Sequence, residues 1–151
     1  MPRTRTIVLP ALVVALLSFA FPLAAASRVN CVQYVKQASA FSLSGDAWKW
    51  WDNARGKYRR GAQPQAGSVL VFKKSGKLSR GHVALVDWVI DSRTIAIHHA
   101  NWAPSRGKIY TNVLVRDASP NNDWSQVRVW YDPAGTYGSG YHTYGFIYKA
   151  E

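Results

Sequence analysis

The chain has 151 residues, of which 48% are hydrophobic and 18% charged, and its 19 basic against 8 acidic residues give a net charge of +11. This size and composition predict one globular domain with a real core, and they argue against a disordered or multidomain chain. The basic excess predicts an anionic partner, and charge alone leaves open nucleic acid, a membrane surface or a charged polysaccharide.

A secretory leader is predicted at the N-terminus. Two arginines precede an apolar run over residues 7–26, which ends in an Ala-x-Ala site before Ser27. The alternative, an uncleaved membrane anchor, is disfavoured by two prolines within the run. We therefore expect a signal peptide over residues 1–26 and a mature domain over residues 27–151. The domain is expected to be exported, to the periplasm or outside the cell, without stable membrane insertion after cleavage.

The first element after the leader is a helix that begins at Cys31, the only cysteine. Asn30 is a good N-cap, and Gln33 stands where a capping-box partner reaches back. A thiol in the first turn of a helix feels the positive end of the macrodipole, which favours a reactive thiolate. The alternative is that Cys31 is a small buried apolar residue. A lone cysteine in an exported chain forms no internal disulfide, which favours reactivity.

One more helix and then only strands are predicted beyond this point. The second helix covers residues 47–54, capped by Asp46. A tight polar turn follows the second strand and predicts antiparallel pairing with the third. Helices followed by strands indicate an α+β fold with an antiparallel sheet of about six strands. The predicted strands cover residues 68–72, 82–90, 94–100, 109–115, 126–131 and 144–148.

Four histidines are candidates for a base that would activate the thiol: His82, His98, His99 and His142. His82 follows a glycine and begins a strand, where a side chain is held rigidly and still reached from solvent. Strand alternation places His99 and Asn101 on the same side and His98 on the other. Either His99 or Asn101 can orient the imidazole of His82. Taken singly, His99 is better explained as a hydrogen-bonded, half-buried side chain, and His82 as a residue at the edge of a loop.

Five short motifs occur in an order that points to a known family. They cover residues 31–35, 45–48, 64–72, 81–86 and 99–102, and the Gly-His-Val-Ala run at residues 81–84 is the most specific of them. In order and spacing the chain resembles the CHAP domain, the cysteine- and histidine-dependent amidohydrolase/peptidase group of the papain-like fold. The resemblance covers nearly the whole predicted mature chain, and the NlpC/P60 enzymes are related to this group.

The resemblance implies a papain-like α+β fold, with N-terminal helices packed on the sheet, and a CHAP-like catalytic domain over residues 27–151. It implies Cys31 as nucleophile and His82 as base. The third position departs from the pattern, because His99 stands where glutamate is common. A histidine accepts the same N–H but brings no negative charge. We favour His99 as the orienting residue, with Asn101 as a helper that shapes the loop.

The function implied is a secreted cysteine hydrolase that cleaves an amide bond in peptidoglycan, as an amidase or an endopeptidase. Neither a cofactor nor a metal is expected, and no metal-ligand spacing is visible. Trp48, Trp51 and Trp102 are expected to border the substrate groove. The basic charge is expected to hold the protein on an anionic wall, with no specific nucleic acid partner.

Two alternatives remain open at this point. One is a non-catalytic CHAP domain that binds an anionic wall polymer, against which the intact Cys31 and His82 argue. The other is an amidase that acts on another γ-glutamyl or peptide substrate. The bond cut, the oligomeric state, and the choice between remodelling of the cell's own wall and attack on competitors are not determined by the sequence.

Overall fold

The computed structural model describes residues 28–150 and shows a chain made mainly of strands. The predicted signal peptide lies outside the described residues. Within them, no helix is long and apolar enough to cross a membrane. The helices are α1 (Cys31–Ala38) and α2 (Trp50–Asn53), with 3₁₀ turns at Ala47–Lys49 and Asp132–Ala134. The strands are β1 (Arg60–Gly61), β2 (Val69–Phe72), β3 (His82–Asp91), β4 (Thr94–Ala100), β5 (Ile109–Asp117), β6 (Gln126–Tyr131) and β7 (Thr136–Ile147).

Six of these strands close into an antiparallel barrel. From β2 to β6 each strand pairs with the next along the chain, and β7 pairs with both β6 and β2. The first half of β7 pairs with β6, from Thr136 to His142, and the second half pairs with β2, from Thr143 to Ile147. The short strand β1 adds two further pairs to the end of β7.

The expected papain-like α+β fold, with N-terminal helices packed on an antiparallel sheet of about six strands, is wrong, because six strands close into a barrel. The structure is mostly β, and its two helices have only eight and four residues, too few to form a helical layer. The difference lies chiefly in β7, which begins at Thr136 instead of residue 144. Gly138 and Gly140 resemble loop residues in the sequence, but here they belong to the strand that closes the barrel. The expected antiparallel pairing of β3 with β4 is confirmed.

Two apolar clusters share the strands between them. One includes Leu70 and Phe72 from β2, together with Trp124 and Phe146. The other includes Val69 and Val71 from the opposite face of β2, packed with α1 and α2. Alternation along the strand therefore places one cluster inside the barrel and the other under the helices. This second cluster holds α1, and with it Cys31, against the outside of β3.

Candidate active site

The candidate nucleophile is the first residue of α1, as its capping sequence predicts. Asn30 Oδ1 accepts the Gln33 N–H at 2.9 Å, and the Asn30 N–H donates to Gln33 Oε1 at 3.3 Å. Both halves of the capping box are therefore formed, and they fix where the helix begins. Cys31 is only 9% exposed. The backbone N–H groups of Cys31 and Val32 interact with its sulfur and favour the thiolate, which lowers the pKa of the thiol.

Two histidines lie side by side on neighbouring strands. His82 begins β3 and His99 lies near the end of β4, with 2.9 Å between His82 Nε2 and His99 Nδ1. Both are almost fully buried, at 3% and 1% exposure. The Trp102 ring packs on them, with its centroid 4.7 Å from that of His82 and 5.3 Å from that of His99. The histidine pair is therefore held rigidly and shielded from bulk water.

Cys31 and His82 open onto the same cleft of about 310 Å³. Its walls are the first turn of α1, residues 45–47 and residues 77–81, together with Asn101 and Arg106. The backbone N–H of Val83, the residue after His82, also interacts with the Cys31 sulfur and lowers the pKa of the thiol. The thiol therefore lies near the start of β3, on the same cleft as His82.

Gly81 allows the wall of the cleft to pack this closely. Its φ is +67°, and a Cβ there would lie 2.7 Å from the Trp48 nitrogen and 2.9 Å from the Phe72 carbonyl oxygen. Both neighbours are backbone atoms, which move only if the fold moves. Only glycine combines this left-handed conformation with this approach, and so it fixes the chain immediately before His82.

Burial decides the protonation of the three candidate groups. It raises the pKa of the Cys31 thiol, and the N–H groups of Val83, Val32 and Cys31 offset this only in part. Burial also lowers the pKa of His82 well below its usual value, and the neighbouring His99 adds to the effect. The pKa of His99 is lowered to about 3, again mainly by burial. The expectation of a low Cys31 pKa is therefore wrong for the resting protein, which holds a neutral thiol beside a neutral imidazole.

The sequence model of the CHAP domain family matches residues 23–101, which is more than half of the chain. The chain belongs to the CHAP domain family. The match confirms the resemblance seen in the sequence and contains Cys31, His82 and His99. CHAP domains form a peptidoglycan-related family of amidases and peptidases, and its members are typically hydrolases. No curated protein matches the chain significantly.

In this CHAP domain the structure brings His99, and not Asn101, to the imidazole of His82. Asn101 does line the cleft, but its Oδ1 accepts the Gly107 N–H at 2.9 Å, and its φ is +64°. An asparagine tolerates this left-handed backbone better than most residues do. Asn101 therefore shapes the loop over residues 101–107.

The three tryptophans expected at the substrate groove occupy different places. Trp102 packs on the histidine pair and borders two neighbouring grooves. Trp51 stacks on Tyr144, with 5.9 Å between ring centroids. Trp48 packs under Gly81. Within residues 28–150, none of the three tryptophans lines the cleft that contains Cys31.

A series of polar side chains in contact lies on the other face of β4, and it was not predicted from the sequence. Tyr34, one turn along α1 from Cys31, has its hydroxyl 2.8 Å from His98 Nδ1. His98 Nε2 lies 3.3 Å from Asp87 Oδ1 on β3. These contacts connect α1, which carries Cys31, to β3 and β4, which carry the histidine pair. The alternation that points His98 away from His99 was the available signal.

The residues that line the cleft also bear on metal binding. Among residues 28–150, no group of three His, Cys, Asp or Glu side chains is arranged to hold a metal ion. The polar atoms at the site are a thiol, imidazole nitrogens and backbone N–H groups, which are the groups that nucleophilic catalysis uses.

Proposed function

We propose that the protein is an exported cysteine hydrolase that cleaves an amide bond of peptidoglycan, with Cys31 as nucleophile, His82 as general base and His99 as the residue that positions the base. The observation that carries the proposal is the 2.9 Å contact between His82 Nε2 and His99 Nδ1, beside a thiol on the same cleft. Membership of the CHAP domain family supports the substrate class.

The contact between the histidines fits the tautomer of His82 that a base needs. His99 is neutral above a pH of about 3, so its Nδ1 can accept a hydrogen bond. If His82 donates from Nε2, its Nδ1 carries a free lone pair that can take the proton of the thiol. Because both groups are neutral at rest, the proton moves as the sulfur attacks and not beforehand.

The reaction then runs in two halves. The Cys31 sulfur bonds to the carbonyl carbon while His82 takes the thiol proton, and His82 returns that proton to the nitrogen as the C–N bond breaks. Water next attacks the thioester and gives a proton to His82. As the C–S bond breaks, His82 returns that proton to the Cys31 sulfur, so the acid product leaves and both the thiol and the neutral imidazole are restored.

The start of α1 supplies donors for the oxyanion. The Gln33 N–H is used by the cap and the Tyr34 N–H bonds to the Asn30 carbonyl, while the N–H groups of Cys31 and Val32 face the sulfur. Donors fixed next to the nucleophile suit the negative oxygen of a tetrahedral intermediate.

The cleft also fits an anionic substrate. Lys77, Arg80 and Arg106 border it, and Asp46 Oδ1 accepts from Arg80 Nε at 2.7 Å, which neutralises that arginine. Lys77 and Arg106 remain to attract carboxylates, which the stem peptides of peptidoglycan carry. Residues 27–151 carry 17 basic and 8 acidic residues, and this net charge of +9 favours association with an anionic wall in the same way.

Digestion of purified peptidoglycan, followed by mass spectrometry of the soluble muropeptides, tests the proposal. We expect the protein to release new amine and carboxyl termini at one kind of amide bond, and Cys31→Ser to release none. Release of glycan fragments with intact peptides, or activity that survives in Cys31→Ser, would overturn it. Localisation of the full chain in a cell fractionation tests export separately.

A further inference from the structure

A second groove adjoins the cleft. It has a volume of about 320 Å³ and lies between the loop after β4 and the pair β6–β7. Its lining includes Trp102, Pro104, Tyr131, Gly138, Ser139 and Tyr141. Three of these are aromatic, and the proposed reaction leaves the groove unused.

Two side-chain contacts connect the groove with the cleft. Lys77 borders the cleft, and its Nζ donates to Ser139 Oγ in the groove at 2.7 Å. Trp102 forms a wall of the groove, and its ring centroid lies 4.7 Å from that of His82. A molecule that fills the groove therefore ends within one side chain of the base.

The aromatic walls are preorganised. Trp102 is held by Tyr141 and Phe72, with ring centroids 5.1 and 5.7 Å away, and Tyr131 is 37% exposed beside them. Partly exposed aromatic rings that are held in place, next to hydroxyl and ammonium donors, suit a ligand with flat C–H faces and many hydroxyl groups. A sugar ring has this character.

An extended peptide fits the groove less well. A peptide strand gains affinity mainly by adding to an unpaired sheet edge. Here β6 and β7 pair with each other, from Trp130 with Tyr137 to Gln126 with His142, so this stretch presents no free edge to a ligand. Side chains and not backbone groups therefore provide the recognition.

We propose that this groove binds a sugar ring of the glycan strand, so that the amide presented to Cys31 is the one that joins the peptide to the glycan. The inference rests on the proposed function and narrows it from any amide of peptidoglycan to the bond next to the sugar. The groove holds the sugar and the cleft holds the first residues of the peptide, with Lys77 between them.

Kinetics on a matched pair of substrates test the inference. One is a muropeptide that keeps its sugars, and the other is the same stem peptide with an acetyl group in their place. We expect kcat/KM to be at least about tenfold higher for the first, which is the order of gain that a well-placed aromatic contact gives. Equal values for the two substrates would overturn the inference and leave the proposed hydrolase standing.

Two variants should remove this preference. Tyr131→Ala deletes an exposed wall, and Gly138→Leu fills the groove, because a Cβ at Gly138 meets only the Val129 carbonyl oxygen, at 3.4 Å. Both should raise KM for the muropeptide and leave the acetyl peptide unchanged. Trp88→Ala is the matched control, since Trp88 is 67% exposed and lies outside both the cleft and the groove. If the variants behave like this control, the groove is not a sugar site.

A binding experiment separates the groove from the chemistry. Titration of the inactive Cys31→Ala variant with chitotetraose, followed by NMR, should show saturable binding that a second change, Tyr131→Ala, weakens about tenfold. Binding of this kind without any hydrolysis of peptidoglycan would overturn the proposed function and keep the sugar site. Hydrolysis of peptidoglycan by the native protein without this binding would overturn the sugar site and keep the proposed function. Circular dichroism of each variant identifies any that fails to fold, and the other groove variant then decides.

Discussion

The pH at which Cys31 reacts with iodoacetamide tests the role of His99. The change His99→Glu places a carboxylate where the Nδ1 of His99 now lies, 2.9 Å from His82 Nε2. A hydrogen bond to a charged group contributes about 1.5–3 kcal/mol, against about 1 kcal/mol for a neutral one. The added stabilisation of a protonated His82 is therefore on the order of 1 kcal/mol, or about one pKa unit. The thiolate–imidazolium pair is stabilised by the same amount relative to the neutral thiol and imidazole.

The assay is the initial rate of alkylation across a pH series. In the native protein burial raises the pKa of Cys31, so its midpoint should lie above the value of about 8.5 for an ordinary thiol. Below that midpoint, alkylation depends on the small population of the thiolate–imidazolium pair, and His99→Glu should raise this acid-side rate by about five- to tenfold. His99→Gln is the matched control, because its amide oxygen accepts the same N–H without a charge, and its acid-side rate should stay near that of the native protein.

The turnover of the same variants completes the test. His99→Ala should lower kcat markedly, and the glutamate and glutamine variants should recover part of it because each restores an acceptor. An unchanged or lower acid-side rate in His99→Glu would refute the reasoning that His99 acts through its contact with His82. A His99→Ala protein with native kcat, together with a severe loss in Asn101→Ala, would assign the orienting role to Asn101.

Four further outcomes follow from the same contacts. Cys31→Ser and His82→Ala should each abolish turnover and keep the native circular dichroism spectrum, and their losses should not add in the double variant. Because burial lowers the pKa of His99 to about 3, the unfolded chain binds the extra proton, and His99 alone should lower the free energy of unfolding by about 3–5 kcal/mol as the pH drops from about 6.5 to 3. The lowered pKa of His82 adds to this fall. Urea denaturation of His99→Gln should therefore show a shallower fall, and an identical slope would contradict this. Asn101→Gly, which suits the positive φ, should retain more activity than Asn101→Ala, and the reverse order would show that the side chain does more than shape the loop. Tyr34→Phe should lower kcat severalfold with little change in KM, whereas a pure change in KM would argue against a role in holding α1.

Local signals were enough to predict the elements that carry the candidate chemistry. The start of α1 followed from Asn30 and Gln33, three residues apart, because capping is decided within one turn. The pairing of β3 with β4 followed from a tight turn between two apolar runs. Alternation along β4 separated His99 from His98, and the structure places them on opposite faces.

The parts that were missed depend on contacts between distant residues. Barrel closure needs β7 to extend through Gly138 and Gly140, whose type indicates a loop when only near neighbours are considered. The raised pKa of Cys31 also depends on distant residues. The macrodipole can be predicted from the helix alone, but burial depends on all the residues that pack over the thiol. Alternation indicated that His98 points away from His99, but it did not indicate Tyr34 as the partner of His98, because the two residues are 64 positions apart in the chain.

Barrel closure by β7 also determines how the chain can be divided. The stretch that matches the family ends at residue 101, just beyond β4, so β5, β6 and β7 come entirely from the remainder. A fragment that stopped there would leave β2 and β4 as bare edges and open the barrel interior to water. The reactive residues therefore cannot be transplanted on the matched stretch alone. Exchange of residues 102–150 as one unit would instead keep β7 paired with both β6 and β2. It would also replace the aromatic wall of the groove in one step. This segment is therefore the natural unit for building chimeras with altered substrate choice.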